Sequence, residues 1–192
     1  MRLAAAVLIA ASAARAATEV ELYYSALQRM ISAQLFTQDG RRYVRGSKDT
    51  RCSYAYLENP VVGEAGGRLR IESRFSGRSA LNVLGKCVGL GDSFDLIILA
   101  TPIYRNGAMA FKDVYVETRG KENLYTRSVR TTLARTLGRD LRWPIEGLAR
   151  QILETHASTL PMEKKMGRFD VTGIRVQKES LVLLVDFLLQ VR

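Results

Sequence analysis

The chain has 192 residues, 47% hydrophobic and 25% charged, with no run of the ~20 apolar residues that a membrane-spanning helix needs. These figures exclude a helical membrane protein, a collagen-like chain and wholesale disorder. Lys and Arg number 29 against 19 Asp and Glu, giving a formal net charge of +10, an excess that attracts polyanions without choosing among nucleic acid, anionic lipid and an acidic protein.

Residues 1–16 read MRLAAAVLIAASAARA. Arg2 precedes an apolar run from Leu3 to Ala14 that is too short to span a bilayer, and Ala14-Arg15-Ala16 has the A-x-A form of a cleavage site. The segment reads as a secretory signal peptide; a buried alanine-rich helix is the alternative. Cleavage before Ala17 removes Arg2 and Arg15, which takes the net charge from +10 to +8. No cysteine ends the apolar run, so a soluble periplasmic protein is expected rather than a lipid-anchored one. In an oxidising compartment Cys52 and Cys87 suggest a disulfide closing a loop of about 36 residues, worth roughly 4 kcal/mol in the chain-entropy model. A pair of buried thiols is the competing reading.

Beyond the signal, Val20 to Tyr24 is a short β-like run, and Ser25 with Gln28 forms a capping-box pattern that opens a helix. Leu27, Met30, Ile31 and Leu35 supply its apolar face, and Asp39-Gly40 ends it. From Arg41 to Arg119 the period is two. Residues 61–75 alternate Leu69, Ile71, Ser73 and Phe75 with Arg68, Arg70, Glu72 and Arg74. Strands at 79–88 and 93–104 are expected around a turn at Gly89/Gly91-Asp92, and Asn106-Gly107 joins the latter to a strand at 108–117. Helical spacing returns with Leu124, Val129, Leu133 and Leu137, and Trp143-Pro144 marks the break before a helix at 145–155. Strands from Phe169 to Val176 and from Leu181 to Val191 close a chain without repeats or linkers, read as one domain over 17–192.

Two strands, 92–100 and 181–189, are apolar on both faces, where a one-sided antiparallel strand would alternate with polar residues. Central core strands explain this, and so does a strand that lines a ligand cavity or a dimer interface. Two or three helices are few to cover both faces of a six-stranded sheet, which shifts weight toward a cavity or an interface.

The element order is α+β. With the stretches VELYYSALQRMISAQL (20–35), GRLRIESRFSG (67–77), ATPIYRNGAMAFKDVYV (100–116) and GIRVQKESLVLLVDF (173–187), the chain resembles the YceB-like bacterial envelope proteins of the tubular lipid-binding (TULIP) superfamily. The resemblance covers about residues 20–190 and rests on pattern more than on invariant residues. It implies a strongly curved antiparallel β-sheet wrapped around one long helix, with a second helix and a C-terminal β-hairpin, holding a lipid or other apolar molecule in the groove between them. It carries no catalytic motif. Such proteins are commonly lipoproteins, from which this chain departs; the Cys52/Cys87 pair is a further difference.

The expected function is therefore non-catalytic binding of a lipid or other apolar or amphipathic ligand in the periplasm, in lipid transport or envelope maintenance. Candidate groove liners are Leu27, Met30, Ile31, Leu35, Leu69, Ile71, Phe75, Ile97, Leu99, Leu133, Leu137, Leu183, Val185 and Phe187, each of which plain core packing would also explain. Arg68, Arg70 and Arg74 on one strand face, and Arg135, Arg139 and Arg142 near a helix end, are candidate contacts to an anionic membrane surface, with a solvated face as the bland alternative. A structural or interaction protein that dimerises or binds a partner through its apolar last strand is the alternative function. An enzyme is poorly supported: His156 is the one histidine, Asp92/Asp95 and Glu117/Glu122 lack a partner base, and Gly85 to Gly91 follows no βαβ pattern. No metal or cofactor is expected, and export argues against nucleic acid as a partner.

Overall fold

The computed structural model describes residues 18–120, 123–154 and 162–192. The expected signal peptide (1–16) and His156 lie outside the described residues. The elements run β1 (Thr18–Tyr23), α1 (Tyr24–Leu35), β2 (Arg41–Arg45), β3 (Ser53–Ala65), β4 (Arg68–Val83), β5 (Lys86–Arg105), β6 (Ala108–Thr118), α2 (Leu124–Asp140), α3 (Ile145–Glu154), β7 (Lys164–Val176) and β8 (Ser180–Val191). The strands form two antiparallel sheets. A strongly curled half-barrel has the order β2-β3-β4-β5-β6, and a smaller sheet has the order β1-β8-β7.

The α+β class, the curled antiparallel sheet and the C-terminal hairpin stand. The single long helix does not: the described residues form three helices, of 12, 17 and 10 residues. Nor is there one six-stranded sheet, because β1 and β7 take the two sides of β8 and leave it central to a sheet of its own. That position accounts for its apolar run, with Leu181, Val182, Leu183 and Val185 all buried.

Local chemistry explains most boundaries. Asn106 (φ 52°) and Gly107 (φ 75°) both hold left-handed conformations, as a two-residue hairpin turn requires. Helix α2 starts at a capping box in which the Asn123 side chain accepts from Thr126 N (2.8 Å) and Asn123 N donates to Thr126 Oγ1 (2.9 Å). The capping box expected at Ser25 is not formed; α1 begins a residue earlier behind Tyr23, which makes no side-chain cap. Tyr24 fixes this start instead, its hydroxyl donating to the Gln177 carbonyl (2.6 Å) and its amide to the Glu179 carbonyl (3.1 Å). The helix ends at Leu35, ahead of Asp39-Gly40.

Two strand expectations need correcting. The 61–75 strand is divided by a turn at Gly66-Gly67, and no turn falls at Gly89/Gly91-Asp92. The chain turns at Leu84-Gly85 instead, and residues 86–105 form one strand. Glycine at 89 marks close approach within the ribbon: a Cβ there would lie 2.2 Å from the Ser79 carbonyl oxygen. Cys52 and Cys87 form a disulfide with a Cα–Cα distance of 5.2 Å, joining the segment before β3 to β5.

One hydrophobic cluster unites both sheets and the three helices. Leu27, Leu69, Phe75, Leu96, Leu181 and Val185 are among its most buried members.

Candidate functional site

Helix α1 lies between two apolar clefts, one nearly filled and one open. Its neighbouring residues Met30 and Ile31 line different ones.

The first cleft lies between the curled sheet and α2. Ile31, Leu35, Phe36, Leu57, Ile71, Ile98, Phe111, Leu137, Leu141 and Trp143 close it, with Gln34, Arg42 and Ser73 as polar members. Its cavity is about 40 Å³, room for a water molecule and far short of an acyl chain. Trp143 Nε1 is, among the described residues, the one buried side-chain polar atom without a hydrogen-bond partner.

The second cleft is a groove of about 280 Å³ between α3 and the three-stranded sheet, lined by Thr18, Val20, Leu22, Met30, Ile145, Leu148, Ala149, Ile152, Leu153, Phe169, Leu183, Val185 and Phe187. Only Thr18 among these is polar. The volume sits near the lower end of the roughly 300–1,000 Å³ found for small-molecule pockets. Ile145, Leu148, Ala149, Ile152 and Leu153 follow the i, i+3, i+4, i+7, i+8 rule, the stripe a helix normally buries against a core. Yet Ile145 alone is buried, and Ile152 is 71% exposed.

Polar contacts explain why this stripe stays open. Arg150 donates through Nη1 to the Met166 carbonyl (2.8 Å) and to Glu154 Oε1 (3.0 Å), while Met166 N donates to the same Glu154 oxygen (2.8 Å). Glu146 reaches Arg150 Nη2 at 3.4 Å and completes the clamp of α3 onto β7. At the other end, Glu146 N donates to the Gly107 carbonyl (3.0 Å), and Met109 and Trp143 exchange backbone bonds of 2.8 Å. The helix is thus held by its polar side and its first turn. Tyr104, edge-on to the groove residue Phe169 (centroids 6.5 Å apart), has its phenol pKa raised by burial, with Glu146 and Asp170 adding to the effect.

A further cleft of about 260 Å³ lies along α2 toward the free end of the half-barrel. Arg45, Tyr54, Arg78, Tyr125, Ser128, Thr132 and Thr136 set polar groups among the apolar Val44, Ala55, Phe75, Val129 and Leu133. Burial raises the Tyr125 pKa, Asp92 adds to this and Arg45 opposes it.

The residues singled out from the sequence therefore divide. Met30, Leu183, Val185 and Phe187 line the α3 groove. Ile31, Leu35, Ile71 and Leu137 line the small cavity, and Phe75 and Leu133 the cleft along α2. Leu27 and Leu69 are wholly buried core and line none of the three. Ile97 and Leu99 are on the wrong face: the buried side of β5 carries Leu96, Ile98 and Ala100, and Ile97 and Leu99 stand half-buried opposite Glu72 and Arg70. Leu124, expected on the apolar face of α2, is exposed, and Tyr125 and Val129 pack on the core. The α3 stripe was missed, although its spacing is readable in the sequence.

The proposed anionic-surface arginines are mostly engaged within the fold. Arg68 donates to the Leu99 carbonyl (3.3 Å) and to that of Asp113; Arg70 pairs with Glu72, which also holds Arg119 (2.9 Å); Arg74 meets Asp95 at 3.4 Å. Arg139 binds both oxygens of Asp140 (2.6 and 2.9 Å), which lowers the Asp140 pKa. Arg135 and Arg142 are exposed.

Among the described residues no helix is long and apolar enough to cross a membrane, and no three His, Cys, Asp or Glu side chains gather as metal ligands. No protein-family model, curated protein or solved structure matches the chain.

Proposed function

We propose that the protein is a non-catalytic binding protein that holds an apolar or amphipathic ligand, a lipid chain foremost, in the groove between α3 and the β1-β8-β7 sheet. The observation that carries the reading is the α3 stripe: five apolar residues at core spacing line the groove beside a polar clamp, and only the first of them, Ile145, is buried. Exposing such a stripe to water opposes folding at roughly 25 cal/mol per Å² of apolar surface, and a ligand that covers it recovers that free energy. The lining is apolar but for Thr18, which suits a hydrocarbon tail. The ligand class agrees with the resemblance to YceB-like proteins, and the disulfide fits the oxidising periplasm that the proposed signal peptide leads to.

Dimerisation through the apolar last strand has less to support it. Strand β8 is paired on both sides over Leu181–Val185, by β1 and β7, which leaves neither edge of that stretch available for a second copy.

Native mass spectrometry of the protein purified from bacteria, followed by lipid extraction, tests the proposal. A co-purifying amphiphile that Ile152→Asp removes is the expected result. A chain that carries none, and takes none up from a lipid extract, overturns it.

A further inference from the structure

Past the half-barrel, β4 and β5 continue as a two-stranded arm. Strand β3 meets β4 no further along than Ser53 opposite Ser79, and β6 meets β5 no earlier than Leu96 opposite Thr118, so from Ala80 to Gly89 the two strands pair only with each other. Leu81 faces Val88 across the ribbon, and alternation places Val83 and Leu90 on that same side. All four are exposed, and Leu84 at the tip is 98% exposed. Isolated ribbons are marginal in water, and contiguous exposed apolar side chains mark an interaction surface. Here the disulfide supports the arm: Cys87 is tied to Cys52, and its carbonyl accepts from Arg78 Nη2 at 3.2 Å.

The turn sharpens the point. Leu84 (φ 50°) and Gly85 (φ 80°) adopt the same left-handed pair of conformations as Asn106-Gly107. Asparagine suits that first position and leucine does not, because its side chain crowds the backbone when φ is positive. The arm therefore carries an ill-suited residue at its most exposed point, where the residue contributes only apolar surface. Cations flank it. Lys86 adjoins Cys87 and Arg51 adjoins Cys52, with Lys48 close by in sequence, and Asp49 is the one carboxylate among residues 46–52 and 80–90.

We propose that this arm docks the protein on an anionic bilayer surface, Leu84 and its apolar neighbours entering the interface while Arg51 and Lys86 meet the headgroups. A narrow apolar tip with Lys86 beside it and Arg51 beside the disulfide fits a fluid interface, which needs no matching shape. The cleft lined by Arg78 and Ser79 lies at the root of the arm. The inference does not depend on what the α3 groove holds.

Flotation of the protein with phosphatidylcholine vesicles, with and without phosphatidylglycerol, tests it. Binding is expected only with phosphatidylglycerol and is weakened by salt. Leu84→Asn weakens it about tenfold while leaving the melting temperature unchanged or higher, since asparagine improves the turn. Arg51→Glu with Lys86→Glu abolishes the binding to phosphatidylglycerol vesicles. Unaltered binding by Leu84→Asn overturns the proposal. So does a protein that ignores both vesicles, including one that forms dimers in light scattering which Leu84→Asn dissociates; the tip is then an interface between copies.

Discussion

The two clefts beside α1 are built from the same kinds of side chain and end up differently filled. Under the half-barrel, Ile71, Ile98 and Phe111 from three strands meet α1 and α2 and leave about 40 Å³. Beside the small sheet, Val20, Leu183, Val185 and Phe187 meet one side of α3 and leave about 280 Å³. Apolar composition therefore does not separate core from site. The attachment of the covering helix does: α2 packs with Leu133 and Leu137 buried, whereas α3 is held by Ile145, Arg150, Glu154 and the Gly107 carbonyl, and the rest of its apolar stripe is half-buried or exposed.

Substitutions on the two sides break or sharpen this contrast. The largest loss is expected on the packed side, where Phe75→Ala removes a ring that is 1% exposed and lowers the unfolding free energy by about 3–5 kcal/mol, measured by urea denaturation. Breaking the Cys52–Cys87 bridge with paired Cys→Ser changes costs about 2–4 kcal/mol, and protease treatment should then cut the arm before the half-barrel. On the open side, Ile152→Ser changes stability by about 0.5 kcal/mol or less because that side chain is largely solvated already. A loss on the packed-side scale would mean that α3 is core.

A pH series probes the start of α1, which both clefts share. Burial, with Glu64 adding to it, pushes the Tyr24 phenol up to about 12 from its ordinary 10. The unfolded chain therefore loses this proton first. The stabilisation is complete below pH 10 and declines as pH rises through 10 toward 12. Unfolding in urea across this range should show the decline, and Tyr24→Phe should remove its share of it.

Much of this architecture is legible in the sequence where local chemistry acts alone. Asn106-Gly107 and Trp143-Pro144 mark the β5–β6 turn and the start of α3 without reference to anything distant. The other hairpin turn was not legible because Leu84 gives no turn signal, and the glycines at 89 and 91 drew the expected turn along the strand, where Gly89 instead allows close strand approach. Ile97 and Leu99 were misassigned because Leu96 to Leu99 is apolar at every position, so alternation has no phase until β4 supplies one through Ile71 opposite Ile98. The division into two sheets depends on β1 finding β8 across the whole chain, a pairing that no local pattern encodes. At the groove, spacing identifies the α3 stripe as apolar, but its exposure follows from the Arg150 clamp, a contact made only after folding.

Equilibrium titration with a fluorescent fatty-acid analogue tests the central claim most directly. The wild type and Leu124→Asp, an exposed leucine on α2, should bind alike, while Leu148→Asp and Ile152→Asp weaken binding about tenfold or more, the latter with little change in melting temperature. Equal binding by all four proteins would contradict it.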